Sequence, residues 1–425
     1  MANTQPHLLI LEPDPRGHAH EWIEHILASA RAYPRPPRFS LVVAHELAMA
    51  FAGASARGAG NHVQVFALTS REQALCTHRW LVVSGFARWW TMRRYMRQTD
   101  ATHGLFLALD HLSLPFGLGL TTAGRPVSGI LFRPSVHYPA LGPYRPTIKE
   151  RLRDLRKDVL YRLMLHNPAV HAVFSLDPYF PAHAARRYRR GAKVVGLPDP
   201  AFPAPEPSPA EGALTRSVPD GRITFVLFGE LTARKGVLPL LEALTRLPAE
   251  VAGQVAIVIA GRLDPPLRSA THQAVARVRR ARPELWLCLE DRRLASGEIA
   301  ALVRRSDVIL APYQGFVGSS GILMWAARMR RPVICQDYGL LSRLTREHAL
   351  GVTVDATNPR ALANTIATCV RRGPKTLGDP KRMAAFAATH RPENFAATIL
   401  RRVLEENESS VPGIVAACPG GMVSE

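Results

Sequence analysis

Ile223-Thr-Phe-Val-Leu-Phe-Gly-Glu-Leu-Thr-Ala-Arg-Lys-Gly236 is an apolar run of strand length that stops at a glycine, carries a cationic loop and opens at Gly236-Val-Leu-Pro239 into a helix-forming segment. A strand that passes through a short glycine-containing loop straight into a helix is the unit of a doubly wound parallel sheet, whose ligand crevice is lined by the loops at strand C-termini. The unit recurs in both directions. Downstream, strand-like runs are expected at residues 255–259, 285–289, 308–311, 332–335 and 351–354, with helical segments between them. Upstream they fall at 7–12, 39–43, 62–66, 105–109, 127–132, 170–175 and 193–196. Between the two sets, residues 197–220 hold Pro198, Pro200, Pro203, Pro205, Pro207 and Pro209 and show no periodicity, the signature of an extended linker.

The expected organisation is therefore an α/β protein of two doubly wound domains, at residues 1–196 and 221–380, joined by a linker at 197–220. Two helical segments, within 381–406, follow the second domain, and a Ser/Pro/Gly-rich tail at 407–425 reads as disordered. A length of 425 residues suits two such domains, and 47% hydrophobic with 21% charged residues is ordinary for a globular chain. The formal net charge of +20 is not ordinary and favours anionic partners. Nucleic acid is set aside because no helix-turn-helix, zinc-finger spacing or RNP-like aromatic strand is present. Five scattered cysteines, Cys76, Cys288, Cys335, Cys369 and Cys418, without CxxC spacing, point away from a disulfide framework or a zinc site and toward a reducing cytoplasm. No apolar run approaches the ~20 residues of a membrane span, so membrane contact is expected to be peripheral, at the inner face.

Two basic stretches bear on such contact. Residues 86–97 combine Arg88, Arg93, Arg94 and Arg97 with Trp89 and Trp90, which suits an anionic lipid surface or a partner. Residues 149–162 suit either a membrane-surface helix or, the favoured reading, an ordinary surface helix with Leu152, Leu155 and Leu160 turned to the core.

A second loop with chemical content is Gly318-Ser-Ser-Gly-Ile-Leu-Met-Trp-Ala-Ala327, expected to start a helix at Ser319 or Ser320. The free N–H groups of Ser319, Ser320, Gly321 and Ile322 at a helix N-terminus form a seat for a phosphate, and small residues let it approach the backbone. Further along, Ser296 reads as a helix N-cap, as does Asn358 before Pro359.

Read in order, Phe228-Gly-Glu-Leu-Thr-Ala-Arg-Lys-Gly236, Val255-Ala-Ile-Val-Ile-Ala-Gly261 and Ser306-Asp-Val-Ile-Leu-Ala-Pro312 running on to Pro332-Val-Ile334 resemble family 4 of the retaining glycosyltransferases. The resemblance covers roughly residues 221–355 well and the first domain only through strand order and Val173-Phe-Ser-Leu-Asp-Pro178. It implies the GT-B fold: two Rossmann-like domains facing across a cleft, the donor nucleotide on the second, the last helix crossing back to the first. It also implies that Gly229, Arg234 and Lys235 hold the donor diphosphate together with residues 319–322, and that Lys235 stabilises the leaving group. Two departures stand out. The family's diphosphate-binding Arg is Glu230 here, and the glutamates of its Glu-x7-Glu motif fall on Val317 and Trp325. Gln314 is a neutral substitute for sugar recognition.

On the acceptor side, the glycine-rich loop of the family is approximated by Glu12-Pro-Asp-Pro-Arg-Gly-His18, with Gly17 and His18 as contacts. The family's histidine falls near Arg133; Arg133 and His111 are the candidates for the cleft, with Asp110 to orient His111 or act as base. His18 and His20 lack a third ligand at recognisable spacing for a metal. The implied activity is transfer of a sugar from a nucleotide diphosphate sugar to a glycan, lipid-linked or other acceptor with retention, needing no cofactor. A GT-B protein that binds a nucleotide sugar or partner without catalysis, and a GT-B sugar-nucleotide epimerase, are the alternatives.

Overall fold

The computed structural model describes residues 5–55, 62–201 and 218–404; most of the expected linker and all of the tail lie outside them. Two parallel sheets form. The first has seven strands, β1 (His7–Glu12), β2 (Arg38–Val43), β3 (Val63–Ala67), β4 (His103–Phe106), β5 (Val127–Leu131), β6 (Val170–Ser175) and β7 (Val194–Gly196), in the order β3-β2-β1-β4-β5-β6-β7. The second has six, β8 (Ile223–Phe228), β9 (Val255–Ala260), β10 (Trp286–Glu290), β11 (Val308–Ala311), β12 (Val333–Gln336) and β13 (Gly351–Val354), in the order β10-β9-β8-β11-β12-β13. In both, strand order reverses beside the first strand, between β1 and β4 and between β8 and β11. A crevice opens at such a switch point because the connections on its two sides leave toward opposite faces.

Both faces of each sheet are covered. Helices Ala19–Ala30 and His45–Ser55 pack on one face of the first sheet through Trp22, Ile23, Ile26, Leu47 and Phe51. Helices Leu81–Thr99, Ser113–Gly117 and Ile148–His166 pack on the other through Met92, Met96, Phe116, Tyr161 and Met164. The C-terminal helix Pro392–Leu404 belongs to the first domain's core although it follows the second in sequence. Its Phe395, Ala396, Ile399 and Leu400 are buried with Trp22 and Ile26, and the Phe395 and Trp22 rings lie 5.1 Å apart.

Where local signals and structure differ, buried polar groups account for it. β4 starts at His103, two residues before the apolar run, because the buried His103 ring pairs with Ser128 Oγ at 2.9 Å and so tolerates the interior. The chain then leaves the sheet early and turns as a 3-10 helix at Leu109–Leu112. The helix after β10 begins with Ser296 as its first residue; Ala295 is its cap, and the Glu298 carboxylate accepts the Ala295 N–H at 2.8 Å. At Asn358 the side-chain oxygen does accept from Arg360 and Ala361 N–H. The largest departure is in Ile148–His166, where Leu152 and Leu155 face outward. Ser135 donates to Asp154 at 2.6 Å, and Tyr188 and Arg187 each reach Asp158 at 2.8 Å, so the acidic residues take the inward face and Tyr161, Met164 and Leu165 complete it.

Deleting the Phe395 ring leaves a cavity against Trp22. Phe395→Ala is expected to cost about 3–5 kcal/mol, read as a lowered thermal midpoint of the full chain.

Candidate active site in the interdomain cleft

The loop after β8 is shaped by glycine. Gly236 adopts φ +72°, and a Cβ there would stand 2.0 Å from the Pro312 carbonyl oxygen, so only glycine lets this loop lie against the end of β11. That approach brings Arg234 and Lys235 to the switch point. The Arg234 carbonyl accepts the Gln314 N–H at 2.8 Å, and Lys235 Nζ donates to Tyr313 Oη at 2.7 Å. Tyr313 Oη in turn lies 3.1 Å from Ser320 Oγ, linking the lysine to the serine loop. Gly229, at φ +105°, faces the Lys235 side chain, which a Cβ on Gly229 would meet at 3.6 Å.

The helix of the serine loop runs Ile322–Met329, two or three residues later than its sequence implies. Residues 319–321 form the turn ahead of it, and its first backbone bonds run from Leu323 N–H to the Ser320 carbonyl and from Met324 N–H to the Gly321 carbonyl. The shift keeps Ser319, Ser320 and Gly321 in the cleft lining, whereas Ile322 is buried in the core and does not line it.

That cleft is a cavity of about 480 Å³ between the domains. The first domain contributes His18, Glu21, Trp22, Phe132 and Arg133, and the second Arg234, Phe316, residues 319–321, Trp325 and Arg328. The guanidinium carbons of Arg133 and Arg234 lie 5.3 and 4.5 Å from the centre of the Phe316 ring, one reaching it from each domain. Among the described residues neither arginine has a carboxylate partner. Burial lowers the Arg234 pKa, and repulsion from Arg133 adds to the effect. Two cations facing one aromatic ring beside a turn of backbone N–H groups repel each other, and an anion between them relieves that.

The remaining sequence candidates divide. Asp110 is held in structure: its carboxylate accepts the backbone N–H of Phe132 at 2.9 Å and of Arg133 at 3.4 Å, fixing the loop that presents Arg133. It does not orient His111, whose Nδ1 pairs with Ser84 Oγ at 2.9 Å, because the 3-10 turn sends the two side chains apart. His111 and Gly17 line a side cavity of about 230 Å³ next to the cleft, sharing His18, Trp22 and Phe132 with it. Burial, reinforced by Arg88, holds the His111 pKa down at about 4, and the ring is neutral at physiological pH. At the floor of this cavity Glu12 is pushed up to about 7 by burial. Gln314 is absent from the cleft lining; its amide donates to the Pro312 and Ala356 carbonyls at 2.9 Å each.

The departures from the family pattern also find their places. Glu230 pairs with Arg262 at 3.2 Å, which turns its carboxylate to the surface rather than toward the cleft. Trp325 lines the cleft and packs edge-on to Phe228. Among the groups that the sequence reading did not single out are Phe316 and Asp199 in the cleft lining and the buried Tyr313 that holds Lys235. Phe316 and Tyr313 flank Gln314 just after β11, where position in the loop after a central strand was the available signal. Asp199 is one of four acids in the proline-rich linker at 197–220, where no motif marks it out, and with Glu21 it is one of two carboxylates in the cleft lining. Burial pushes its pKa up to about 6.

Residues 222–372 match the family of glycosyl transferases group 1. No curated protein matches the chain by sequence. Among solved structures, sucrose-phosphate synthase from Thermosynechococcus elongatus superposes with a TM-score of 0.65 at 15% identity, covering 95% of this chain and 100% of that one. A glycosyltransferase from Rickettsia africae gives 0.64 at 12%, covering 96% and 100%. The Anabaena protein HepE, in complex with UDP, gives 0.61 at 14%, covering 94% and 99%. The chain has the GT-B fold, and its second domain is that of the group 1 glycosyltransferases.

The raised pKa of Asp199 sets a stability test. The folded chain holds this proton more tightly than the unfolded one, so the contribution of Asp199 to stability falls as pH rises from the ordinary carboxylate range through about 6. Asp199→Asn is therefore expected to raise the thermal midpoint relative to wild type near neutral pH, with the difference vanishing below about pH 4.

Proposed function

We propose that this enzyme moves the sugar of a nucleotide diphosphate sugar onto a glycan or lipid-linked acceptor with retention, and that the donor diphosphate sits between Arg133 and Arg234 on the turn at residues 319–321. The observation that carries this reading is the pair of arginines reaching Phe316 from opposite domains, with no carboxylate partner among the described residues. A pyrophosphate there neutralises both and draws the domains together across the cleft.

In a front-face transfer with retention no side chain serves as nucleophile. The bond from the anomeric carbon to the diphosphate oxygen breaks, the departing oxygen accepts the acceptor's proton, and the acceptor oxygen bonds to the same face of the sugar. Negative charge grows on the diphosphate, so the cations aimed at it carry the catalysis. Arg234 and Arg133 act directly. Lys235 acts through the Tyr313–Ser320 relay or, after rotation from Tyr313, directly. The sugar lies toward Asp199, whose carboxylate takes over hydroxyl recognition from the glutamates replaced by Val317 and Trp325. The acceptor enters past His18, Gly17 and neutral His111. The reading places the enzyme in the cytoplasm, peripheral at a membrane, with Trp90 of the stretch at residues 86–97 exposed toward an anionic surface.

Val317 and Trp325 favour one second reading, a protein that binds the donor without transferring from it. Thermal shift with UDP, GDP and ADP, followed by donor hydrolysis with the tightest binder, separates the two. The UDP bound to the Anabaena relative makes UDP the first to measure. Binding with measurable hydrolysis supports transfer, binding without it the second reading, and no shift with any nucleotide overturns both. Arg234→Ala is expected to weaken the diphosphate about tenfold or more, and Lys235→Ala to lower turnover more than affinity. Unchanged affinity and rate in both variants would remove the assigned diphosphate seat.

A further inference from the structure

The outer side of helix Ile148–His166 carries Ile148, Leu152, Leu155, Val159 and Leu163, each between 46% and 77% exposed. Their spacing of three to four residues puts all five on one stripe about four turns long. A monomer in water has no use for a continuous exposed apolar stripe of this kind. Charge is sorted around it. Lys149, Arg151, Arg153, Arg156 and Arg162 are exposed, whereas the three acids of the helix are bonded to the protein: Glu150 to Tyr144 and Thr147, Asp154 to Ser135, Asp158 to Arg187 and Tyr188. What faces outward is apolar in the middle and cationic at the flanks.

We infer that this helix is an in-plane docking surface for an anionic lipid bilayer. The stripe enters the boundary between headgroups and acyl chains while the flanking arginines meet anionic headgroups. Neighbouring elements extend the surface. Helices Leu81–Thr99 and Ser113–Gly117 pack beside Ile148–His166 on the same face of the first sheet, and they offer exposed Trp90, with the Arg93 guanidinium over its ring, and exposed Leu118. Trp89, by contrast, is tied inward, donating to the Thr121 carbonyl. A second copy of the chain is the poorer occupant. In a self-complementary contact the same arginines would oppose one another, in a molecule that already carries a formal net charge of +20. The docking helix is also bonded to the cleft wall, since Lys157 Nζ donates to the Arg133 carbonyl at 3.2 Å. Docking therefore holds the loop of Arg133 close to the lipid surface, where a lipid-linked acceptor is presented. The inference deepens the peripheral placement proposed above by naming the helix that docks, and it stands without sugar transfer.

Flotation of the full chain with vesicles tests it, using phosphatidylcholine alone and phosphatidylcholine mixed with phosphatidylglycerol. The expected result is binding to the mixed vesicles only, weakening as salt rises, and reduced at least about tenfold by the double substitution Leu152→Glu, Leu155→Glu. Both positions are exposed, so the variant is expected to keep the wild-type thermal midpoint and nucleotide-induced shift, which identifies a folded protein. Absence of vesicle binding by wild type, equal binding to neutral vesicles, or undiminished binding by the variant overturns the inference. So does a wild-type dimer in gel filtration that the double substitution dissociates while vesicles capture neither protein, because a second copy is then the occupant of the stripe.

Discussion

The contact between Phe395 and Trp22 is the constraint on which the cleft depends. Trp22 sits in the first domain's helix after β1, stacks on Phe132 at 5.4 Å and forms part of the cleft wall. Phe395 belongs to a helix that the chain reaches only after completing the second domain. Burying this aromatic pair makes the first domain's core incomplete until the last helix returns, so the two domains are connected twice, once through the linker and once through this helix. A second connection restricts their relative placement and keeps the Arg133 loop opposite the Arg234 loop. Packing energy on the far side of the sheet is in this way converted into geometry at the cleft.

At the cleft itself the governing fact is an imbalance of charge. The family's carboxylates are absent, Glu230 is drawn away by Arg262, and the arginines facing Phe316 have no carboxylate partners among the described residues. A site so built holds a polyanion well and has few groups for sugar hydroxyls. Asp199, contributed by the linker between the domains, is one of two carboxylates in the cleft lining. Its raised pKa is the cost of burying a carboxylate.

The same sorting of charge governs the outside of the first domain. In helix Ile148–His166 the acids turn inward to hydroxyls and Arg187, which forces Leu152 and Leu155 outward. Hydrophobic periodicity alone assigns those leucines to the core, because a helix with one apolar stripe usually buries it. Here the helix has two, and Tyr161, Met164 and Leu165 make the buried one.

The sequence by itself determined the elements and the architecture. All thirteen strands lie within a few residues of the apolar runs that announce them; the central ones are buried on both faces and must be apolar throughout, a property that is local. The glycine-bounded loop with Lys235 and the small-residue loop at residues 318–321 were legible for the same reason: tight turns and helix starts write their demands into a few adjacent residues. Tertiary structure decided which side chains meet. That Arg133 shares Phe316 with Arg234, that Asp110 serves backbone N–H groups rather than His111, that Gln314 braces its own loop, and that Asp199 enters the cleft all depend on segments far apart in the chain. Which of two apolar stripes a helix buries is likewise set by partners such as Ser135 and Arg187 on other elements, and no local pattern carries that information.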